Sequence, residues 1–266
     1  MSRARLLFPL ALAILALPIP ASGVQPGYID RQSFDVTNVL SAAPMEGSDR
    51  YDQDRRIFRS TRSFQNTPRW VLAVNDVQTD IAHLMADFSC AAGITMNRGQ
   101  APRLALLMEK ASADTRAETA MAKRHFKRLR PFLIDQGPIC EPASDVQDTY
   151  DYPSGHTTLG WTWATILAQL LPERGAQILA RGRAYGESRI VCGVHNASAV
   201  EAGRTSASAT LAVMRASAAY QRDFQAVRRE LKRLQHRPTK PDAEQCRAEE
   251  ALVAEDIFAP PGVHVP

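Results

Sequence analysis

The chain has 266 residues, of which 45% are hydrophobic, and its formal net charge at pH 7 is +4. This length and apolar content allow one sizeable buried core or two small ones. The small positive excess argues against nucleic acid as the main partner. Beyond the N-terminus, no stretch of the sequence is apolar enough to cross a bilayer.

Residues 1–23 have the pattern of a secretory signal peptide. Arg3 and Arg5 precede an apolar run from Leu6 to Leu17, and the small residues 21–23 suit a signal peptidase. The run is too short for a lasting membrane span, although an uncleaved anchor is the alternative. Cleavage after residue 23 would remove two arginines and no acids, lowering the net charge from +4 to +2. We therefore expect an exported protein that is not bound to a membrane after cleavage.

Four cysteines remain in the exported chain. An even count in such a protein favours two disulfides over buried free thiols, and four cysteines allow three connectivities. We favour Cys90–Cys140 together with Cys192–Cys246. Because no two cysteines form a CxxC pair, we do not expect a zinc site.

The chain then divides into an arm, a helical body and a tail. Residues 24–65 are rich in Asp, Ser, Pro and Gly, which predicts an irregular N-terminal arm. From Pro68, apolar residues recur at steps of three and four up to Phe88, which predicts one helix that ends at Gly93. Residues 238–266 are rich in proline and are predicted to form a surface tail.

Helical periodicity continues through the rest of the body, interrupted by a loop at 132–152. No segment shows strand-like alternation. The sequence therefore predicts an all-α fold with one compact helical domain over residues 66–237. Its further helices are expected at 101–112, 114–129, 157–171, 173–187 and 197 to about 234.

The first candidate motif is a pair of cations, Lys123 and Arg130, followed by Pro131. At a spacing of seven residues they would share one face of a helix, about 20° apart in azimuth. Two cations on one face suit an oxyanion with several oxygens. The alternative is a solvated basic face over residues 123–130.

The second motif is Pro153-Ser154-Gly155-His156, placed where a helix begins. A glycine allows close backbone approach, and the unpaired N–H groups of a first helical turn attract anions. His156 stands where a proton donor would be needed. The alternative is an ordinary helix start with Ser154 as its N-cap.

The third motif is Ser188-Arg189, followed after five residues by His195. Arg189 adds a third cation, and a neutral imidazole is a competent nucleophile toward phosphorus. The alternative is a structural histidine at a helix end. Together the three motifs contain what phosphoryl transfer needs without a metal or cofactor. The other histidines are interpreted as structural: His83, His125, His236 and His264.

In this order and spacing, the three motifs resemble the signature of the type 2 phosphatidic acid phosphatase superfamily. The segment from Gly182 to His195 further resembles the soluble bacterial class A non-specific acid phosphatases. The resemblance extends from about residue 28 to about residue 250. It implies a helical fold of the kind shared with vanadium haloperoxidases, a periplasmic location, and hydrolysis of phosphomonoesters at acid pH.

The resemblance also implies roles for individual residues. His195 would attack phosphorus and form a phosphohistidine, and His156 would protonate the leaving oxygen. Phosphomonoesters and inorganic phosphate would be the partners. The phosphoryl oxygens would be held by the residues that we call the anion site: Lys123, Arg130, Arg189, Ser154 and the amide of Gly155.

The sequence departs from the family pattern after His195. The family motif ends with an aspartate four residues later, where this chain has Ala199, and a neighbouring tryptophan position is Asn196. The aspartate fixes the tautomer of the nucleophile and stabilises the cation that forms. Alanine can do neither, so we interpret Ala199 as a lost orienting position and expect phosphate binding with weakened turnover. The alternative is that Asn196 or a backbone carbonyl orients His195 instead.

Other functions remain open on the sequence alone. A non-catalytic relative would bind phosphate without releasing it catalytically. A vanadate-dependent haloperoxidase would hold vanadate in the same anion site. A nucleic-acid binder and an integral lipid phosphatase are disfavoured by the motifs and by the missing spans. The sequence allows a homo-oligomer but does not specify one.

Overall fold

Helix is the only regular secondary structure in the part of the chain that the computed structural model describes, residues 26–236 and 238–259. The prediction of an all-α fold is therefore confirmed, whereas the signal peptide predicted at 1–23 lies outside the described residues. The α-helices are α1 (Asp49–Thr61), α2 (Pro68–Asn75), α3 (Ile81–Asp87), α4 (Ser89–Ala92), α5 (Pro102–Phe126), α6 (Gly155–Leu170), α7 (Gly175–Val191), α8 (Ala197–Met214), α9 (Ala218–His236) and α10 (Ala243–Ala254).

The central helix is α6, which packs against α5, α7 and α8. Its apolar side chains Leu159, Trp163, Ile166 and Leu167 are all buried. A helix that is apolar around most of its circumference is stable only when neighbours cover it on several sides. Among the described residues, no helix combines the length and the apolar character that crossing a membrane requires.

Two glycines let α6 and α7 approach each other closely. A Cβ atom at Gly160 would lie 2.4 Å from the ring of Tyr185, and one at Gly182 would lie 2.3 Å from the Cβ atom of Ala164. Neither distance is compatible with a larger residue. This close contact holds the C-terminal half of α7 beside the N-terminal half of α6, where two of the three motifs lie.

Several predicted boundaries differ from the structure because side chains cap or bridge the chain. The predicted irregular arm contains α1, which begins at the N-cap Ser48 and buries Phe58. The predicted helix from Pro68 to Gly93 is three helices, since the Asp80 carboxylate caps a new start at α3. Conversely, the two helices predicted at 101–112 and 114–129 are one helix, in which Asp114 accepts a hydrogen bond from the backbone N–H of Tyr28.

The C-terminal part also differs from its prediction. The helix predicted from residue 197 to about 234 is two helices, α8 and α9, separated at residues 215–217. The predicted surface tail contains α10, which starts at the N-cap Asp242. This helix packs on α2, α4 and α7.

The favoured disulfide connectivity was wrong. The structure pairs Cys90 with Cys246, at a Cα–Cα distance of 5.2 Å, and Cys140 with Cys192, at 4.7 Å. The first bond attaches α10 to α4, and the second attaches the loop before α6 to the end of α7. Sequence order could not give this result, because the pairing depends on how α10 and the loop fold back onto the body.

Candidate active site

The three motifs meet at one buried centre, although Lys123 and Arg130 do not lie on one helix as the sequence predicted. Lys123 lies in the last turn of α5, which ends at Phe126. Lys127 then adopts a left-handed conformation with φ +48°, and Arg130 lies in extended backbone before Pro131. The prediction that Lys123 and Arg130 share a helix face was therefore wrong. The two side chains nevertheless lie close enough for their charges to interact. Burial and the charge of Arg130 lower the pKa of Lys123 to about 7.

Arg130 is fixed by acceptors on both sides of its guanidinium. Nη1 donates to the carbonyl of Val194 at 2.7 Å, and Nη2 donates to the hydroxyl of Thr149 at 2.7 Å. The residue is buried, and burial lowers its pKa to about 10. These bonds hold the guanidinium beside His195 in a defined orientation.

Arg189, in the last turn of α7, is fully buried and has two donors without a partner. Nη2 forms an ion pair with Glu141. Nε and Nη1 have no hydrogen-bond partner among the residues that the structure describes. Unpaired buried donors are costly, so two of them on one guanidinium indicate a site for an anionic ligand. Glu141 lies next to Cys140, so the disulfide to Cys192 holds this carboxylate at the end of α7.

The N-terminus of α6 supplies backbone donors. Ser154 is the N-cap, and its hydroxyl accepts a hydrogen bond from the N–H of Thr157. The backbone N–H of Ser154 donates to the carbonyl of Ala199 at 2.9 Å, which joins this turn to the start of α8. The amides of Gly155 and His156 open the helix and have no intrahelical acceptor, so they are available to an anion.

His195 is held by one partner on each ring nitrogen. Nε2 lies 3.1 Å from Nη1 of Arg130, and Nδ1 lies 2.9 Å from Oδ1 of Asp151. Arginine can only donate, so Nε2 accepts and the proton of the neutral ring is on Nδ1, from which it is donated to Asp151. Burial and the charges of Arg130 and Lys123 lower the pKa of His195 well below its usual range. The ring is therefore neutral, with its Nε2 lone pair directed toward the cations.

Asp151 is a site residue that the sequence reasoning missed. It is fully buried, and both of its oxygens accept hydrogen bonds from Asn196, one from the backbone N–H at 3.1 Å and one from Nδ2 at 2.8 Å. Burial raises the pKa of Asp151, and Arg128 and Asn196 act in the opposite direction. Its position two residues before Pro153 was a possible signal, but nothing in the sequence linked it to His195.

The expectation that Ala199 leaves His195 without a carboxylate partner was therefore wrong. Ala199 is fully buried in an apolar cluster that includes Tyr152 and Ala202. The carboxylate comes instead from Asp151, on the segment before α6.

His156 is held differently. Its Nε2 lies 3.0 Å from the carbonyl oxygen of Val77, in the connection between α2 and α3. A carbonyl can only accept, so Nε2 carries the proton and Nδ1 remains available. Burial and the charge of Arg189 lower the pKa of His156 well below its usual range. Together with Gly155 and Lys123, His156 lines a cavity of about 250 Å³.

Comparison with known proteins agrees with this geometry. The model of the PAP2 superfamily matches residues 104–223, a range that contains all three motifs. An acid phosphatase of Zymomonas mobilis is 37% identical over 214 residues, which are 80% of this chain and 81% of that protein. This protein belongs to the PAP2 superfamily.

Two further relatives carry the name non-specific acid phosphatase. The protein of Salmonella typhimurium is 29% identical over 221 residues, covering 82% of this chain and 88% of the relative. The protein of Providencia stuartii is 30% identical over 206 residues, covering 76% and 83%. The similarity thus extends over most of the length of each chain and is not confined to the motifs.

Proposed function

We propose that this protein is an acid phosphatase that hydrolyses phosphomonoesters through a phosphohistidine at His195. One observation carries the proposal: Nε2 of His195 is unprotonated and lies beside Arg130 in a buried centre that also contains unpartnered donors of Arg189. A lone pair directed into a cluster of cations is suited to attack a phosphate, whose negative oxygens the cations would hold.

The reaction proceeds in two steps. Lys123, Arg130, Arg189 and the start of α6 bind the phosphoryl oxygens. As the phosphoryl group binds, Nη1 of Arg130 turns from Nε2 of His195 to a phosphoryl oxygen and frees the lone pair. Nε2 of His195 then forms a bond to phosphorus as the bond to the ester oxygen breaks, and protonated His156 gives its proton to that oxygen. A water molecule next attacks the phosphohistidine, neutral His156 accepts a proton from the water, and phosphate leaves with His195 restored.

The charges of the site account for an acid optimum. In the phosphate-free protein, burial and the neighbouring cations lower the pKa values of His156 and His195. A bound phosphate brings negative charge next to His156 and raises its pKa, so the general acid is charged when substrate is present. Protonation of His156 is then most complete at low pH, which favours protonation of the leaving group.

We also propose that the protein is exported to the periplasm. The sequence pattern of residues 1–23 supports this location. Two disulfides with no free cysteine among the described residues fit an oxidising compartment. The test is the N-terminal sequence of the protein isolated from a periplasmic extract, which should begin after Gly23.

Turnover of phosphomonoesters tests the main proposal. The oxidised protein should release phosphate catalytically from p-nitrophenyl phosphate and from glycerol phosphate, faster at about pH 5.5 than at about pH 8. Vanadate should inhibit. Stoichiometric phosphate binding without catalytic release would contradict the proposal and indicate a non-catalytic relative. Bromide oxidation in the presence of vanadate, without phosphate release, would indicate a haloperoxidase.

A further inference from the structure

We infer that Asp151 is the positioning residue for His195, and that it replaces the aspartate which the family motif has at position 199. The inference rests on the proposed function, since it concerns the support of the same nucleophile. The carboxylate of Asp151 accepts the Nδ1 proton of His195, keeps Nε2 unprotonated, and stabilises the positive ring that exists while phosphorus is bonded to Nε2.

The backbone explains how a carboxylate at residue 151 can replace one at residue 199. The two positions lie on adjacent segments, because the N–H of Ser154 donates to the carbonyl of Ala199 at 2.9 Å. Asp151 is three residues before Ser154, and Ala199 is four residues after His195. This bond places the segment of Asp151 beside the segment that carries both His195 and Ala199. The methyl group of Ala199 packs with Tyr152 in the apolar cluster and leaves the ring to Asp151.

The same rearrangement accounts for both departures from the family pattern. Asn196 occupies a tryptophan position and donates to Asp151 twice, once from its backbone N–H and once from Nδ2. A tryptophan also has a backbone and a side-chain donor, but its indole N–H lies farther from the backbone than Nδ2 of asparagine and could not form the same pair of bonds. Asp151, Asn196 and Ala199 thus form one set, in which Asn196 holds the relocated carboxylate and Ala199 makes no competing contact.

A buried carboxylate also needs a compensating charge, and Arg128 supplies it. Nη1 of Arg128 lies 3.4 Å from Asp151, and Nη2 lies 2.7 Å from Asp54 in α1. Asp54 also accepts the N–H of Ser198 at the start of α8. Every group that faces the oxygens of Asp151 is thus a hydrogen-bond donor. A positioning carboxylate requires this arrangement, because it has to accept the Nδ1 proton of His195.

The first test compares Asp151→Asn with Asp148→Asn. Asp148 is an exposed acid in the same loop, and the structure gives it no side-chain hydrogen bond. With p-nitrophenyl phosphate, Asp151→Asn should lower kcat by roughly 10²-fold or more, while the Kd of inorganic phosphate changes less than about threefold. The Asp148 variant should match the parent. An unchanged kcat in a folded Asp151→Asn protein would overturn the inference.

The second test moves the carboxylate back to the family position. In the Asp151→Asn protein, a further Ala199→Asp change should restore kcat by about tenfold or more, because a carboxylate again approaches Nδ1. In the parent, Ala199→Asp should give no gain, since it adds a second buried carboxylate to an occupied position. A gain in the parent that is as large as in the variant would show that Asp151 does not perform the role.

The third test needs neither turnover nor a variant that folds. Nitrogen NMR of phosphate-free parent protein should show His195 as the Nδ1–H tautomer, with its Nδ1 proton in a strong hydrogen bond. An Nε2–H tautomer would overturn the inference directly. If the Nδ1–H tautomer is found but no phosphate is released from any phosphomonoester, the proposed function fails while the contact with Asp151 stands.

Discussion

The two site histidines are held by different kinds of acceptor. The Nδ1 proton of His195 is directed at a buried carboxylate, whereas the Nε2 proton of His156 is directed at the backbone carbonyl of Val77. A carboxylate stabilises positive charge on the ring, and a carbonyl orients the ring with much less effect on its charge. This difference fits the proposed roles, in which His195 forms a positively charged covalent intermediate and His156 gives a proton away.

Removal of the nucleophile should have the largest effect on this comparison. His195→Asn should lower kcat by about 10⁴-fold or more, because the proposed covalent intermediate forms on the ring of His195. The Kd of inorganic phosphate should change little, since the cations remain. Turnover is measured by phosphate release. A variant that keeps kcat within about tenfold of the parent would place the nucleophile elsewhere.

Removal of the acid should have an effect that depends on the leaving group. His156→Gln should lower kcat by roughly 10²- to 10⁴-fold with glycerol phosphate, whose alkoxide needs a proton. With p-nitrophenyl phosphate the loss should be much smaller, because nitrophenolate leaves without one. His125→Gln, at an exposed histidine on α5, is the matched control and should behave as the parent. Equal losses with both substrates would contradict the assignment of His156.

The support of His195 should extend to Arg128, which pairs with Asp151. Arg128→Gln should lower kcat by roughly 10- to 100-fold, because Asp151 loses the positive charge that opposes the effect of burial on its pKa. It should also lower the free energy of unfolding in urea by about 3–5 kcal/mol, since Asp54 and Asp151 lose a buried partner. Exposed Arg124 provides the control variant, Arg124→Gln. Unchanged activity together with lost stability would show that Arg128 stabilises the fold but does not support His195.

The smallest expected effect is the pH dependence of anion binding that Lys123 causes. Its pKa, lowered to about 7, means that the cation is present below pH 7 and is lost as the pH rises through that value. Anion affinity should therefore fall above pH 7 by up to about tenfold per pH unit, relative to a Lys123→Arg variant that stays charged. The ratio of the two Kd values cancels the titration of phosphate itself. A ratio that does not change with pH would contradict the lowered pKa.

Local signals predicted much of the fold and of the anion site. Helix starts depend on a few adjacent residues, so Ser154 could be interpreted as the cap of a helix with an open first turn. The apolar periodicity of α6 is also a local signal, and it predicted a helix there. Arg189 and His195 belong to one short motif, which begins in the last turn of α7.

Contacts between distant segments could not be predicted in the same way. Asp151 and His195 are 44 residues apart, and only the packing of the α6 start against α8 brings them together. The disulfide of Cys90 depends on a helix, α10, in a region that was predicted as a surface tail. The position of Arg130 depends on a left-handed residue, Lys127, that no helix propensity predicts.

The central claim is that phosphorus is bonded to His195 during turnover. The most direct measurement is a rapid alkaline quench of the oxidised protein during hydrolysis of p-nitrophenyl phosphate, followed by peptide mass spectrometry under conditions that preserve phosphohistidine. The account predicts a phosphoryl group on the peptide that contains His195, absent from the His195→Asn protein and without modification of His156. Steady turnover with a phosphoryl group on another residue, or with none trapped on any peptide, would contradict it.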